Sequence, residues 1–379
     1  MKILIVTGSL FEIASGPFLS VRSLARSLHL RKDIEKVTVF GTKDRNSQPQ
    51  QPPNYSNGFN VVALNKYGPY SIHFCPRIIP EIKKHDFDIV NFQGIWQWNF
   101  WRVAKYCRKN KIPYTITIRG EFKKEALRFS MWKKAIAKRL YVRNYLKFAS
   151  SFVVLNKIEY CAISKMGYKQ PVKIIPNGID IPVLKKSFEP HKSMVDGKKI
   201  MLFIARLHPI KNLENLILAW LKIQSVACDW KLVIAGSTKD KVYENKLKEL
   251  AKINSVQNSS IQFIGFLDEQ QKPYWFENAS AFVLTSWSEG IPMSVLEAFS
   301  YKVPAILTPE CNLEQADKAG AALICKQDVD NISSSLQKMV TMKEEKRKLM
   351  GEKALELVQQ YYTWENVCNL LIKEFQFHL

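Results

Sequence analysis

Residues 281–307 limit what this chain can fold into more than any other stretch of the sequence. The stretch begins with an apolar run, Ala281–Thr285, and passes through a Gly-Ile-Pro turn into a segment of helical character that carries Glu297. A second apolar run, Ala305–Leu307, follows. Strand, loop, helix and strand in this order form the repeating unit of a parallel sheet. Because ligands of such sheets bind beyond the carboxyl ends of the strands, we expect Glu289, in the loop, to lie at a ligand site.

The residue types in this loop favour a hydroxyl-rich or phosphorylated ligand. Gly290 allows the backbone to approach a ligand closely, and the first amides of a helix are unpaired donors that suit phosphate or polyol oxygens. The carboxylates of Glu289 and Glu297 accept hydrogen bonds and so can bind sugar or ribose hydroxyls. A second interpretation stays open for Glu297, because Ser294–Glu297 also has the spacing of a capping box that only closes a helix start.

The segment Ser-x-Ser-Glu-Gly-x-Pro-Met-Ser-x-Leu-Glu-Ala, which contains both glutamates, resembles the signature of glycosyltransferase family 4. The resemblance implies a retaining enzyme of the GT-B fold, an α/β architecture in which two Rossmann-like, doubly wound domains have parallel sheets facing a central cleft. It further implies that Glu289 contacts the donor sugar and that Glu297 binds the ribose of the nucleotide.

A pair of cations follows an earlier apolar run. Arg206 and Lys211 lie on either side of Pro209, directly after Lys199–Ala205. This element resembles the family's Gly-Arg-Leu-x-x-x-Lys-Gly, with Ala205 and Asn212 in place of the glycines, and the resemblance implies that both cations hold the donor diphosphate. Without the resemblance, two solvated surface charges are the simpler interpretation.

These arguments predict Glu289, Arg206 and Lys211 as catalytic residues. The predicted donor-binding residues are Arg206, Lys211, Glu289, Gly290, Ile291, Met293, Ser294, Glu297, Gly236, Gly265 and Gly16. Gly16 comes from the first βαβ unit, which lacks the GxGxxG pattern of dinucleotide-binding proteins; on its own it reads as a turn glycine. No metal and no cofactor are expected, since the predicted substrate is a nucleotide-diphosphate sugar and the cysteines and histidines show no ligand spacing.

The first half of the chain resembles the family less closely. Gln93, Trp96 and Arg119 follow two predicted strands and are predicted to contact the acceptor. Two simpler roles stay open, a core tryptophan at Trp96 and a surface arginine at Arg119. The family often has a histidine motif at residues 91–94, and its role has no counterpart in Asn-Phe-Gln-Gly. We expect an acceptor-binding domain at 1–180, a nucleotide-sugar-binding domain at 181–361, and a last helix at about 362–379 that packs back on the first domain.

The net charge of +22 is unusual and attracts polyanions. Residues 123–147 are strongly basic with interspersed apolar residues, a pattern typical either of an ordinary half-buried helix or of a helix that docks on anionic lipid. A nucleic-acid-binding protein is the alternative from another class, but the sequence has no RRM, zinc-finger or KH signature, so we expect no nucleic-acid partner.

Together these features and the family resemblance predict a metal-independent, retaining glycosyltransferase that uses a nucleotide-sugar donor and a lipid-linked glycan acceptor in bacterial surface polysaccharide synthesis. The chain is expected in the cytoplasm, peripheral on the inner face of the plasma membrane. A transferase with a small soluble acceptor and a nucleotide-sugar epimerase of the same fold are the alternatives.

Overall fold

The computed structural model describes residues 1–10, 16–43, 58–67, 74–121, 136–182, 197–238, 240–252 and 260–379. The chain divides into two compact units. Unit 1 comprises Met1–Gly178 and Trp364–Leu379, and unit 2 comprises Ile179–Thr363. The predicted boundaries at 180 and 361 lie close to these limits. The polar composition of residues 45–60 predicts a loop and that of residues 182–198 predicts a linker, and both segments fall mostly outside the described residues.

Unit 1 contains a seven-stranded parallel sheet in the order β3-β2-β1-β4-β5-β6-β7. Its strands are β1 (Lys2–Ser9), β2 (Lys36–Lys43), β3 (Asn60–Asn65), β4 (Ile89–Gln93), β5 (Tyr114–Thr117), β6 (Ser151–Val154) and β7 (Val172–Ile174). Strands β4 and β5 are buried along their whole length and β1 is buried except at its two end residues, as expected for a parallel sheet covered on both faces.

Unit 2 contains a six-stranded parallel sheet in the order β10-β9-β8-β11-β12-β13, which is the strand order of a Rossmann fold. Its strands are β8 (Lys199–Ile204), β9 (Trp230–Ala235), β10 (Ile261–Gly265), β11 (Ala279–Leu284), β12 (Ala305–Leu307) and β13 (Ala322–Ile324). The predicted strand–loop–helix–strand unit at 281–307 is present.

Helices connect the strands in both units. Their bounds are α1 (Gly16–His29), α2 (Ile78–Ile82), α3 (Trp98–Lys109), α4 (Arg143–Lys147), α5 (Lys157–Ser164), α6 (Leu213–Ile223), α7 (Lys241–Lys252), α8 (Lys272–Asn278), α9 (Met293–Ser300), α10 (Glu314–Lys318), α11 (Val329–Val340), α12 (Glu344–Tyr361) and α13 (Trp364–Gln376). A π-helical turn, Lys138–Val142, precedes α4.

The last helix, α13, belongs to unit 1, as the sequence predicts. Its Trp364 packs against Gly178, where a Cβ atom would lie only 2.4 Å from the indole ring. Asn369 accepts a hydrogen bond of 2.7 Å from Arg31, just after α1. The buried side of α13, which includes Val367 and Leu371, completes an apolar cluster with α1.

The basic segment predicted as a helix at 123–147 is described only from residue 136. The sequence pattern places Ile136 and Leu140 on the same apolar side as Tyr145 and Leu146, and that placement is wrong. Ile136 and Leu140 are 50% and 66% exposed, whereas Tyr145 and Leu146 are buried. The π-helical turn contributes to this difference, because it changes the residue spacing on each side of the helix.

Candidate active site

The strand order of unit 2 fixes where a ligand can bind. β8 pairs with β9 on one side and with β11 on the other, so the chain changes direction across the sheet between β8 and β11. In sheets with this strand order, ligands bind beyond the carboxyl ends of the two strands at which the chain changes direction. A backbone hydrogen bond of 2.8 Å from Trp287 to Ile210 ties together the loops that follow β8 and β11.

The loop after β8 holds Lys211 in a defined position. Pro209–Lys211 form a single 3-10 turn, and Asn212 then adopts a left-handed conformation with φ of 58° before α6 begins. Asn212 is buried and donates a 2.7 Å hydrogen bond to the carbonyl oxygen of Gln327. Asparagine tolerates this backbone conformation better than most residues, which explains how it replaces the glycine of the family pattern.

The loop after β11 brings Glu289 onto Lys211. The Lys211 ammonium donates a hydrogen bond to Glu289 Oε1, and the Ser286 hydroxyl donates to the same oxygen at 2.6 Å. The Asn312 amide donates to the carbonyl oxygens of Glu289 and Gly290 at 2.8 and 2.9 Å. Lys211 and Glu289, which are predicted from distant parts of the sequence, are therefore in contact. Asn312, which follows β12, holds the loop that carries Glu289.

Burial makes this ion pair electrostatically strong. The side chains of Lys211 and Glu289 are only 13% and 10% exposed. Charge attraction is greater in such a site than in water, and removing one partner would leave the other poorly compensated. Beneath the loop, burial and the nearby Glu289 raise the pKa of the Cys311 thiol to about 12, so Cys311 is a neutral packing residue at physiological pH.

Arg206 is placed differently from Lys211. It follows β8 by two residues and its side chain is exposed. It makes no ion pair or hydrogen bond with another described residue. The structure thus brings Lys211 and Glu289 together and leaves Arg206 at the same strand end with its guanidinium donors available.

Glu297 lies on α9 and is not a capping residue. The helix begins at Met293 after Pro292, with no side-chain capping hydrogen bond, so Ser294 is already the second helical residue. The capping-box interpretation is therefore wrong, because the proline starts the helix earlier than the serine can. Instead, Glu297 Oε1 accepts a 3.1 Å hydrogen bond from Lys272. Burial raises the pKa of Glu297, although Lys272 acts in the opposite direction.

The three glycines predicted to bind the donor in unit 2 have different surroundings. A Cβ atom at Gly290 would meet no heavy atom of a described residue within 4 Å, so the backbone there is accessible to a ligand. At Gly236 a Cβ atom would lie 1.9 Å from the Ala205 carbonyl oxygen, so close packing of two strand-exit loops requires glycine. Gly265 has φ of 76°, a left-handed conformation that glycine adopts without steric cost at the end of β10.

The remaining predicted donor contacts come from the loop before α9, from α9 itself and from α1. Ile291 is buried and belongs to the core of unit 2. Met293 and Ser294 are half-buried and are the first two residues of α9. Gly16 is the first residue of α1 in unit 1. The roles of these residues stay predictions.

In unit 1, the structure joins two of the three predicted acceptor residues. Arg119 Nε donates a 2.5 Å hydrogen bond to Gln93 Oε1, and Arg119 Nη1 donates to Asn177 at 3.3 Å. Burial lowers the pKa of Arg119 to about 10, while Glu159 and Glu121 act in the opposite direction. Arg119 therefore remains charged at neutral pH. It is half-buried in a network rather than the plain surface arginine that the sequence left open.

Trp96 and its neighbours lie mainly against the core. Trp96, Trp98 and Trp101 are partly buried and pack on the apolar cluster of unit 1. The rings of Trp98 and Trp101 are 4.7 Å apart, and Trp98 lies edge-on to Tyr141 at 5.0 Å. These contacts account for much of the aromatic surface, and a sugar-stacking role for Trp96 stays a prediction.

Sequence reasoning missed Ser286, Asn312 and Lys272. Ser286 lies inside the family motif, three residues before Glu289, so its contact with Glu289 could have been predicted from the sequence. Asn312 and Lys272 come from other strand exits, and no spacing in the sequence connects them to the glutamates they contact. In the part of the chain that the structure describes, no group of His, Cys, Asp and Glu side chains has a metal-binding arrangement. None of the described helices is long and apolar enough to cross a membrane.

Two family models match the chain. The model described as "Glycosyltransferase Family 4" matches residues 15–182, and "Glycosyl transferases group 1" matches residues 185–357. The two matches follow the division into two units closely, and together they leave only short segments of the chain unmatched.

Curated relatives are distant but span much of the chain. The alpha-monoglucosyldiacylglycerol synthase of Streptococcus pneumoniae is 24% identical over 351 residues, covering 85% of this chain and 75% of that protein. The O-antigen chain mannosyltransferase B of Escherichia coli is 23% identical over 176 residues, covering 46% of this chain and 45% of that protein.

Among solved structures, HepE of Anabaena in complex with UDP is similar with a TM-score of 0.79 at 15% identity, covering 99% of this chain and all of that one. This similarity concerns the fold, which is GT-B. Combined with the two family models and the residues assembled at the carboxyl end of β8 and β11, it shows that the chain belongs to the group 1 glycosyl transferases of glycosyltransferase family 4 and is a glycosyltransferase.

Proposed function

We propose that this glycosyltransferase moves a sugar from a nucleotide-diphosphate donor to a glycan acceptor, with the donor held by unit 2. The observation that carries the proposal is the ion pair of Lys211 and Glu289 between the loops after β8 and β11. A pyrophosphate oxygen can replace Glu289 as the partner of Lys211, and a sugar hydroxyl can replace Lys211 as the partner of Glu289. One ligand that carries both groups would satisfy both residues together. Related structures support this ligand class, since HepE was crystallised with UDP and with UDP-glucose.

In this proposal, Arg206 and Lys211 stabilise the negative charge that develops on the leaving nucleoside diphosphate. Arg206 has donors available for this purpose because no other described residue engages its guanidinium. Glu289 orients the sugar and stabilises positive charge near the anomeric carbon. Retention of the anomeric configuration is part of the proposal and follows from the family. We assign no catalytic base.

The test is Lys211→Met, with Lys222→Met as the matched control. Lys222 is also ion-paired, to Asp330, but its side chain is 57% exposed. We expect Lys211→Met to lower transfer by about a hundredfold or more, the usual cost of one lost transition-state charge contact, and Lys222→Met to leave it unchanged. Comparable turnover in the two variants would refute the proposal. Lys211→Met/Glu289→Gln, which removes both charges, covers the case in which the single variant unfolds.

We further propose a lipid-linked acceptor used in surface polysaccharide synthesis, reached from the cytoplasmic face of the bacterial membrane. The names of two relatives support an acceptor in this environment, since one relative synthesises a glucosyl-diacylglycerol and the other acts on an O-antigen chain. A small soluble acceptor is the alternative. The epimerase alternative is not supported by the family matches.

The surface formed by residues 136–148 of unit 1 supports the membrane part of this proposal. Its exposed residues include both apolar and basic side chains: Ile136, Arg139, Leu140, Arg143, Lys147 and Phe148. Arg108 of α3 lies 3.5 Å from the Phe148 ring centroid and continues the basic surface. Every charged residue in 98–112 and 136–150 is basic. Such a surface suits anionic headgroups with apolar side chains inserted between them.

Vesicle flotation tests the membrane contact. Arg139→Gln/Arg143→Gln/Lys147→Gln should weaken binding to phosphatidylglycerol vesicles by about a hundredfold at low salt, since each basic residue near the surface contributes about 1 kcal/mol. The control, Lys338→Gln/Lys343→Gln/Lys346→Gln, removes the same charge from exposed positions of unit 2. Equal loss in both variants, or no vesicle binding by the unaltered protein, would contradict a membrane role for residues 136–148.

A further inference from the structure

Lys272 lies between the carboxylates of Glu269 and Glu297. Glu297 is the residue of unit 2 that is predicted to bind the nucleotide. The Lys272 ammonium is 3.1 Å from Glu297 Oε1 and 3.0 Å from Glu269 Oε1. The Lys272 and Glu297 side chains are 19% and 21% exposed, whereas Glu269 is 69% exposed. Lys272 therefore links a solvated carboxylate to a sheltered one, and only the sheltered one lies in the signature motif.

The local structure fixes Lys272 in an electrostatically unfavourable position. Asp268 Oδ1 accepts hydrogen bonds of 2.9 Å from the amides of Gln270 and Gln271, which forms a tight turn directly before α8. Lys272 is the first residue of this helix, where the helix dipole opposes a positive charge. The two carboxylates offset this cost. The turn at Asp268 and the attraction between opposite charges together direct the Lys272 ammonium towards Glu297.

The hydrogen bond from Lys272 makes the two carboxylate oxygens of Glu297 different from each other. Oε1 is engaged by Lys272, and no described residue donates a hydrogen bond to Oε2. Glu297 Oε2 is also not among the buried polar atoms that lack a partner, so it retains contact with solvent. One oxygen is thus fixed while the other can accept a hydrogen bond from a ligand hydroxyl.

We propose that Lys272 is a positioning residue for donor recognition, which holds Glu297 Oε1 so that Oε2 accepts a ribose hydroxyl of the donor nucleotide. The proposal rests on the proposed function, because it requires a nucleotide donor on unit 2. Lys272 itself need not touch the nucleotide. Its contribution is to keep the Glu297 carboxylate in one orientation and to compensate its charge in a sheltered position.

Lys241 provides a matched control for Lys272. It is also the first residue of its helix, α7, and it is ion-paired with the glutamate three residues later, Glu244, at 2.7 Å. Its side chain is 77% exposed, and its pair involves no residue of the signature motif. Lys241→Met therefore removes the same charge from the same helical position without altering Glu297.

The experiment measures nucleotide binding by calorimetry for the unaltered protein and for Lys272→Met, Lys272→Gln and Lys241→Met. UDP, GDP and ADP are tested first, and the nucleotide that binds is then compared with its 2′-deoxy and 3′-deoxy forms. A hydrogen bond to a charged group corresponds to a preference of about tenfold or more, so the unaltered protein should bind the ribonucleotide at least that much more tightly than one deoxy form. Lys272→Met and Lys272→Gln should lose most of this preference, and Lys241→Met should keep it.

Three results would overturn the assignment. If both Lys272 variants keep the full preference for the ribonucleotide, Lys272 does not act through Glu297. If Lys241→Met loses the preference equally, the effect is one of general charge. If none of the three nucleotides binds the unaltered protein, the proposed donor site on unit 2 fails together with the role of Lys272, and this result is recognisable before any variant is made. The use of two substitutions at Lys272 separates a folding defect in either one from loss of recognition.

Discussion

The carboxyl ends of the two sheets have the same topology and different electrostatics. In both units the chain changes direction next to the first strand, between β1 and β4 in unit 1 and between β8 and β11 in unit 2. In unit 2, Lys211 and Glu289 form a sheltered ion pair, and Arg206, which follows β8 by two residues, is exposed. In unit 1, Arg119 at the corresponding edge donates hydrogen bonds to the side-chain amide oxygens of Gln93 and Asn177.

The polar side chains around Arg119 in unit 1 form hydrogen bonds with one another. Asn91 donates hydrogen bonds of 2.9 and 3.2 Å to the hydroxyls of Thr115 and Thr117, and its own oxygen accepts from Gln93. Gln93 in turn accepts from Arg119. Strand order thus determines where polar side chains lie at the sheet edge. The hydrogen bonds and ion pairs among these side chains determine whether they stabilise the fold or remain available to a charged ligand.

The largest expected difference concerns the two edge carboxylates, Glu289 and Glu121. Glu289→Gln keeps the shape of the side chain and removes the charge that faces Lys211, so we expect turnover to fall by about a hundredfold or more. Glu121 Oε2 accepts a 2.5 Å hydrogen bond from the Ile95 amide, and a glutamine oxygen can still accept it. Glu121→Gln should therefore change turnover little. Steady-state kinetics of both variants checks this, and equal losses would remove the distinction between the two edges.

The two edge arginines should show opposite effects on stability and on turnover. Arg119→Met leaves the amide oxygens of Gln93 and Asn177 without their donor and should lower the free energy of unfolding by about 2–3 kcal/mol. Arg206→Met removes an exposed side chain and should change it by less than about 0.5 kcal/mol, yet lower turnover by about a hundredfold. Urea unfolding and kinetics measure the two quantities. A stability loss at Arg206 as large as that at Arg119 would contradict the comparison.

The smallest expected difference is in pH dependence. Burial raises the pKa of Glu297, against the opposing charge of Lys272 and with Glu269 acting in the same direction as burial. The folded protein thus binds this proton more tightly than the unfolded chain, so the group destabilises the fold as pH rises. In the proposed role, Glu297 accepts a ribose hydrogen bond as a carboxylate, so the KM for the donor should increase as pH falls through the raised pKa.

Arg119 should respond at the other end of the pH scale. Burial lowers its pKa to about 10, and it loses its charge only as pH rises through that value. If Arg119 binds an anionic acceptor, the KM for the acceptor should increase near pH 10 and stay constant where the donor KM changes. Initial rates with one substrate varied at each pH separate the two parameters. Parallel changes in both KM values would show that one group controls both substrates.

Much of the fold follows from the sequence because the controlling patterns are local. Apolar runs followed by glycine turns and helical segments specify parallel β-α units, and the motif at residues 285–298 identifies Glu289 and Glu297 through the family. The same reasoning predicts Lys211 as a ligand of the donor phosphates, and the tertiary structure places it on Glu289. The capping-box interpretation of Ser294 failed because a proline two residues earlier starts the helix, a competition that local spacing does not resolve.

Local patterns in the sequence therefore set the fold class, the order of strands and helices, and the residue types that are candidates for binding a nucleotide sugar. Which of the charged candidates neutralise one another depends on tertiary packing. Lys211 contacts Glu289 and Lys272 contacts Glu297 across separations of 78 and 25 residues, while Arg206 pairs with no described residue. Pairing depends on distances across the sheet edge, and those distances are set by the packing of neighbouring strands, not by the spacing of residues along the chain.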